Sequence, residues 1–139
     1  MGPRALSTVG SMICLGVAAA AFAPHDRFFL ENFLWFWFPP AAVVVVTALI
    51  GAAPGGLAGT GLALVIYLVG YHAWARESLA WLGYLFAMPG AAIGAIAARS
   101  VGGQPNAHGR SFVINFLFVA GGLAAASGVL CSTVMYCGS

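Results

Sequence analysis

The chain has 139 residues, of which 62% are hydrophobic and only 6% are charged. A soluble domain carries about 25% charged residues because its surface faces water, so this chain cannot cover a water-facing surface and its surroundings must be lipid. The composition also excludes a secreted disulfide scaffold, a disordered tail and a nucleic-acid-binding protein, since five basic residues form no basic stripe. We therefore expect an all-α, polytopic integral membrane protein with the lipid bilayer as its main partner.

The first uncharged stretch lies between Arg4 and His25 and predicts a membrane span over residues 5–24, because roughly 20 apolar residues cross a bilayer. The same stretch has features of a cleavable signal peptide, namely the preceding arginine and a small-x-small pattern at 21–23. Pro24 would directly follow the cut, in a position that signal peptidases tolerate poorly. We expect the first span to be retained.

The uncharged region 32–71 is twice as long as one span needs and must therefore turn. Two breaks compete inside it, the Pro39-Pro40 pair and the glycine-rich segment 51–56. The glycine-rich segment is the stronger turn signal, and breaking there leaves two spans of suitable length. This choice puts the proline pair in the first turns of the second span, where a missing N–H costs least. The alternative is a four-span protein in which residues 41–70 fold as a re-entrant hairpin.

Charged residues also bound the last two spans. The fourth span lies between Glu77 and Arg99, and the fifth follows Arg110. The sequence has no periodic internal repeat and no loop long enough to be a domain, so the five spans form a single transmembrane domain. The predicted spans cover residues 5–24, 33–52, 57–74, 78–98 and 111–132.

The charged residues divide unequally between the two sides of a five-span bundle. One side holds the N-terminus and three arginines without any acid, whereas the other holds two arginines and all three acids. The positive-inside rule therefore favours a cytoplasmic N-terminus and an external C-terminus, and we place the protein in a bacterial inner membrane. The three arginines of the first side are Arg4, Arg99 and Arg110.

Aromatic residues cluster near the predicted outer side, seven of them between residues 28 and 38. Tyr71, Trp74 and Trp81 are expected at the same depth. Tryptophan and tyrosine settle at the headgroup level because their rings are apolar and their polar atoms need a partner. We interpret this set as an aromatic belt, with a ring-lined binding groove as the alternative.

No carboxylate or basic side chain falls in the interior of a predicted span, and His72 lies at the outer end of the third. Proton-coupled transporters and pumps need such a residue within the bilayer, so a transporter acting as a lone subunit is disfavoured, and we expect no enzymatic activity. A passive pore for a neutral or anionic solute remains open, because hydroxyls and backbone groups can line it, although hydroxyls in spans more often bond to their own helix. The candidate lining residues are Thr47, Thr60, Tyr67, Tyr84, Asn115 and Ser127.

Two histidines and two carboxylates flank spans on the predicted outer side, namely His25, Asp26, His72 and Glu77. They could bind zinc or copper, and the two histidines could ligate a haem. The sequence shows no metal-ligand spacing, and polar residues are expected at span ends in any case. We therefore predict no cofactor and keep a haem or metal site as an alternative.

Cys131 and Cys137 lie at the outer end of the last span. In an oxidising compartment they could form a disulfide if the helix ends near Ser132. On a continuous helix, two residues six apart would point away from each other and could not pair. Cys14 lies in the middle of the first span, and we interpret it as a small buried hydrophobic residue.

Small residues four apart recur in three of the spans and share one helix face, where they let two helices approach closely. With 19 glycines, the chain has more small surface than five short helices need for each other. We therefore expect association with other membrane subunits or with itself, and a non-catalytic role as an accessory or immunity-type interaction protein. The alternatives are a homo-oligomeric channel or carrier, and a small haem or metal protein. The packing pairs are Gly55 with Gly59, Gly90 with Gly94, and Gly122 with Ala126.

Overall fold

The computed structural model describes residues 2–74, 80–101 and 108–133. Within these ranges the chain forms five helices and no strand, and each helix is long and apolar enough to cross a membrane. The prediction of a five-helix membrane bundle is confirmed, whereas residues 41–70 belong to two full-length helices and form no re-entrant hairpin. The helices are α1 (Pro3–Phe22), α2 (Phe29–Leu49), α3 (Pro54–Trp74), α4 (Ala80–Val101) and α5 (His108–Thr133).

Helix α2 begins at Phe29, four residues before the predicted start of the second span. The Asp26 side chain accepts a hydrogen bond of 2.8 Å from the backbone N–H of Phe28, and the Asp26 carbonyl accepts one of 3.0 Å from Phe29. These bonds fix the turn that leads into the helix. Pro39 and Pro40 consequently lie in the middle of α2, so the prediction that they occupy its first turns is wrong.

A tight turn joins α2 to α3. Gly51 has a φ of 78°, a left-handed conformation that suits glycine at a helix C-terminus, and Pro54 occupies the first position of α3, where its fixed φ favours a helix. Two arginines hold the turn from outside. The Arg4 guanidinium donates to the Gly51 carbonyl (3.2 Å) and the Arg99 Nε–H donates to the Ile50 carbonyl (3.3 Å). Both cations therefore lie at the negative end of the α2 dipole.

Helix α3 occupies the interior of the bundle. It packs against α1, α2 and α5, while α1 also contacts α2, and α4 contacts both α2 and α5. The core between the helices consists mainly of leucine, valine and alanine. Large apolar side chains such as Ile13, Leu49 and Ile93 are exposed on the outside of the bundle, where lipid chains are as apolar as they are.

One end of the bundle carries arginines, and we call it the arginine end. Here Arg4 and Arg99 reach the α2–α3 turn. Helix α5 starts beside the same turn. This is shown by Gly55, whose backbone lies so close to the His108 carbonyl that an added Cβ would collide with it. The start of α1, the end of α2, the start of α3, the end of α4 and the start of α5 therefore meet at this end.

The opposite end carries rings, and we call it the aromatic end. Phe22 stacks on His72, and Phe36 lies against Trp81, with ring centroids 4.3 Å apart in each pair. These pairs join the end of α1 to the end of α3, and the first half of α2 to the start of α4. Successive helices thus run in alternating directions, as a five-span topology requires.

Glycines bring α3 and α5 into backbone contact near the arginine end. A Cβ added to Gly55 would collide with the carbonyl of His108, and one added to Gly59 would collide with the carbonyl of Phe112. Gly56 lies between them and faces the amide of Asn115, whose nitrogen is 2.7 Å from where a Cβ would be. Any larger residue at these positions would push the two helices apart.

The contact between α4 and α5 is equally close. Gly90 and Gly122 face each other, so that a Cβ on either would collide with the carbonyl of the other, and Gly94 faces the carbonyl of Phe118. The Ala126 methyl lies 2.7 Å from the Cβ position of Gly90. All six small residues expected to pack helices thus lie at contacts within this chain, and their surface is occupied without any partner.

Candidate binding cleft

A cavity of about 410 Å³ opens between α3, α4 and α5 in the half of the bundle near the aromatic end. It exists because α3 and α4 make little direct contact there, although each packs closely on α5. We call it the aromatic cleft. The described residues that line it are Ile66, Tyr67, Gly70, Tyr71, Trp74, Gly83, Ser127, Leu130 and Cys131.

Helix α3 supplies most of the lining through its natural periodicity. Tyr67, Gly70, Tyr71 and Trp74 are separated by three, four and seven residues from the first of them, so they share one side of the helix. Gly70 lines the cleft, and no atom lies within 4 Å of where its Cβ would be. A side chain there would enter the cavity and not a neighbouring helix.

Polar atoms are scarce in the cleft. The hydroxyls of Tyr67 and Ser127 form a hydrogen bond of 2.9 Å that ties α3 to α5. Two hydroxyls carry two O–H donors and several lone pairs, so their mutual bond leaves capacity for one further donor and for acceptors. The cleft is therefore apolar, with one small polar spot on its wall.

The wall behind the cleft is a set of rings packed on one another. Tyr84 of α4 stacks on Tyr67 with centroids 5.8 Å apart and planes 14° apart, and Tyr71 lies 5.7 Å from the ring of Trp81. Tyr84 is 1% exposed, and its hydroxyl donates to the Phe36 carbonyl (3.1 Å). Large rings with only two side-chain torsions and several ring neighbours make a rigid wall.

A second cavity of about 330 Å³ lies on the other side of the same rings, between α2 and α4. Trp81 and Tyr84 therefore separate two spaces at the aromatic end, of which the aromatic cleft is the larger. The second cavity is lined by Asn32, Trp35, Phe36, Trp81, Leu82, Tyr84 and Leu85.

The predicted aromatic belt divides into two groups. Trp35 and Phe38 point outward, with 62% and 65% of their surface exposed, as belt residues would. Phe36, Trp37 and Trp81 instead pack on the core, and the Trp37 indole donates to the Met12 carbonyl of α1 (3.3 Å). The described rings that line the cleft come from α3. The spacing of Tyr67, Gly70, Tyr71 and Trp74 is the sequence signal that could have located the cleft.

The predicted pore-lining residues lie at two depths of the bundle. Thr47, Thr60 and Asn115 lie buried in the half near the arginine end, whereas Tyr67, Tyr84 and Ser127 lie in the aromatic half. Thr47 donates to the carbonyl of Val43 (2.8 Å), which belongs to its own helix. The Asn115 amide likewise donates to the Ser111 carbonyl within α5 (3.0 Å).

The two predicted ligand histidines each pack on a phenylalanine. His72 stacks on Phe22 at 4.3 Å, and His25 lies 5.1 Å from the ring of Phe29. Asp26 accepts the hydrogen bond from Phe28 described above, and Glu77 lies outside the described residues. Among the residues that the structure describes, no three histidine, cysteine or carboxylate groups come together. A haem held by His25 and His72 stays a hypothesis.

The cysteines lie in different surroundings. Cys14 is exposed on the outside of α1, so the prediction that it is a buried residue is wrong; its face of the helix meets lipid and not another helix. Cys131 lies in the last turns of α5, lines the aromatic cleft and is disulfide-bonded. Cys137 lies outside the described residues, so its pairing with Cys131 stays a prediction.

A scan against protein-family models finds no match, and searches of curated proteins and of solved structures find no significant match either. The function must therefore be inferred from the chemistry of the bundle itself.

Proposed function

We propose that this integral membrane protein is non-catalytic and binds a small amphiphilic molecule from the bilayer in the aromatic cleft. The observation that carries the proposal is the cleft, with its volume of about 410 Å³ and its almost wholly apolar lining around one hydroxyl pair. Ligand sites between the helices of bundles have this character, with volumes of about 300–1,000 Å³ and a few placed polar groups.

The lining supports binding and not chemistry. Its described polar side chains are two tyrosines, a tryptophan, a serine and a disulfide-bonded cysteine. Among the lining residues that the structure describes there is thus no carboxylate, imidazole or basic group that could move a proton or attack a substrate. A molecule bound there would be held, sensed or carried unchanged. A carrier role for a small solute is compatible with this site.

The charge distribution supports an orientation. We place the protein in a bacterial inner membrane with the arginine end in the cytoplasm, since arginines accumulate on the cytoplasmic side. The aromatic cleft then opens into the outer leaflet. The ligand would enter from the lipid, because Ile66 lines the cleft and is exposed on the outside of the bundle.

Gly70 offers a direct test of binding. In detergent, 6-bromo-2-naphthol should quench part of the tryptophan fluorescence saturably, because Trp74 lines the cleft and the bromine is a heavy-atom quencher. Gly70→Leu should fill the cavity and weaken this binding at least tenfold. Gly10→Leu is the matched control, because Gly10 of α1 is also exposed and has no atom within 4 Å of its Cβ position.

The proposal fails if the quenching only rises linearly with the probe, as partition into the micelle would give. It also fails if Gly70→Leu and Gly10→Leu behave alike.

A second candidate function is that of an accessory subunit in a larger membrane complex or in a homo-oligomer. One surface supports it: Gly121, Ala124, Ala125 and Gly128 form an exposed strip of small residues on α5. No atom lies within 4 Å of the Cβ position of Gly121 or Gly128, so a partner helix could approach closely there.

Native mass spectrometry of protein extracted in mild detergent tests this candidate. A partner at fixed stoichiometry that is lost from Gly128→Leu and kept in Gly10→Leu would support an accessory subunit. A bare monomer for all three proteins would contradict it.

A further inference from the structure

We propose that the ligand of the aromatic cleft is a lipophilic cation, of the kind in which alkyl or aryl groups shield a quaternary nitrogen or phosphorus. This inference rests on the proposed binding function and adds the charge of the ligand. It follows from the rings of the cleft together with the distribution of charge along the bundle.

Three aromatic residues of α3 line the cavity. Tyr67 and Tyr71 have centroids 5.5 Å apart, and Tyr71 and Trp74 are also 5.5 Å apart with their planes at 68°. Rings set at an angle to one another, and not in a single stack, present π faces to a shared space. Several π faces around one cavity are how proteins recognise quaternary ammonium groups.

The aromatic end already accepts a cation on a ring. The Arg27 guanidinium carbon lies 4.6 Å from the centroid of Phe28, within the range in which the quadrupole of a ring attracts positive charge. This pair is exposed and lies outside the cleft, but it shows that rings at this end of the bundle can serve as partners for cations.

The distribution of charged residues between the two ends of the bundle also favours a cation at the aromatic end. The arginine end carries Arg4, Arg99 and Arg110 without any acid. At the aromatic end, Asp26 lies in the segment before α2 and Glu31 in the first turn of that helix, with Arg27 between them. The sequence between α3 and α4 adds one further arginine and the third acid of the chain. A cation is therefore repelled from one end and weakly attracted to the end at which the cleft opens.

Desolvation selects the type of cation. A compact ammonium or guanidinium is strongly hydrated and would lose that hydration in an apolar cavity whose described lining residues include no carboxylate to pair with. A cation covered by alkyl or aryl groups loses little hydration, buries apolar surface and still meets the negative faces of the rings. An anion would meet those same faces unfavourably, and none of the described lining residues is basic.

Three probes of nearly the same shape separate charge from size. Tetraphenylphosphonium is a cation, tetraphenylmethane is neutral and tetraphenylborate is an anion. We would measure their affinities by equilibrium dialysis of the detergent-solubilised full chain, corrected for partition into empty micelles. The cation should bind most tightly and the anion most weakly. We expect about a tenfold step between the cation and the neutral probe.

Variants of Trp74 test the role of the ring. Trp74 is 53% exposed, so its replacement should leave the bundle folded. Trp74→Leu should weaken binding of the cation about fivefold and barely change that of the neutral probe, whereas Trp74→Phe should keep most of the preference for the cation.

The inference is overturned if tetraphenylmethane binds as tightly as tetraphenylphosphonium, or if Trp74→Leu weakens both equally. The cleft would then be an apolar amphiphile site, and the proposed binding function would stand. If none of the three probes binds saturably and Gly70→Leu changes nothing, the proposed function itself fails.

Discussion

The hydroxyl of Tyr84 on α4 donates a hydrogen bond of 3.1 Å to the carbonyl of Phe36 on α2. Pro40 lies four residues after Phe36 and has no N–H, so α2 cannot supply the donor that this carbonyl would have in a regular helix. Within a bilayer no water replaces it, and an unpaired carbonyl is costly. A tyrosine of one span thus supplies the hydrogen bond that the backbone of another span lacks. The same tyrosine forms part of the wall behind the aromatic cleft.

Removing this hydroxyl should destabilise the bundle because it leaves the Phe36 carbonyl unpaired. We expect Tyr84→Phe to lower the free energy of unfolding by about 1 kcal/mol, in the upper range for single hydrogen bonds between spans. Thermal or denaturant unfolding in a defined detergent would measure it.

The control is a double-mutant cycle with Pro40→Ala. Alanine restores an N–H to α2 that can bond to the Phe36 carbonyl, so Tyr84→Phe should cost much less in that background. Equal costs in both backgrounds would show that the tyrosine does not substitute for the missing helical donor.

The position of the prolines illustrates what the sequence could not predict. The number of spans and their approximate limits follow from hydropathy, because the thickness of the bilayer imposes a length. The start of α2 depends instead on a local turn closed by Asp26. Because α2 starts about one helical turn earlier than predicted, Pro39 and Pro40 lie in the middle of the helix and not in its first turns. A carbonyl that loses its helical donor there needs a donor from another span.

The small-residue motifs show a similar limit. Their spacing predicts a close helix contact but contains no information on which helix is the partner. The structure pairs Gly55 and Gly59 with one part of α5, and Gly90 and Gly94 with another. Part of the surplus of glycine that suggested a partner protein lies at helix contacts within the chain. The exposed strip on α5 was not distinguishable from sequence alone.

A ring-lined groove was the alternative to an aromatic belt, but the location of the aromatic cleft was not predicted because it depends on an absence of contact. It opens where α3 and α4 diverge, and sequence periodicity does not report the distance between two helices. Gly70 has no atom within 4 Å of its Cβ position, unlike Gly94, and only the folded bundle shows that one glycine lines a space while the other lines a contact.

Gly94→Ala tests the contact between α4 and α5. The added methyl would collide with the Phe118 carbonyl and lie 3.0 Å from the Cα of Val119, so neither helix can yield by a simple rotamer change. We expect a loss of about 2 kcal/mol in the free energy of unfolding, typical of overpacking. Gly121→Ala on α5 is the control; it meets no atom within 4 Å and should be neutral or slightly stabilising.

Unfolding of both variants in the same detergent gives the comparison. If Gly94→Ala is as stable as the wild type but loses a copurifying protein, the Gly94 face of α4 is instead an interface with a partner.

A buried hydroxyl on α3 provides a test in which a substitution is expected to stabilise the bundle. The Thr60 hydroxyl is fully buried and has no hydrogen-bond partner among the described residues, whereas that of Thr47, equally buried, donates to the Val43 carbonyl. An unpaired buried polar group costs free energy, and valine has the same shape without that group. Thr60→Val should therefore raise the free energy of unfolding by about 1 kcal/mol.

Thr47→Val is the matched control, since it removes a hydroxyl that has a partner; we expect a loss of about 0.5 kcal/mol, as for a typical hydrogen bond in a span. Opposite signs for the two valine variants would support the assignment of Thr60 as an unpaired group. A clear loss in Thr60→Val would mean that its hydroxyl binds a molecule inside the bundle, with the unpaired Oδ1 of Asn115 as the other acceptor to examine.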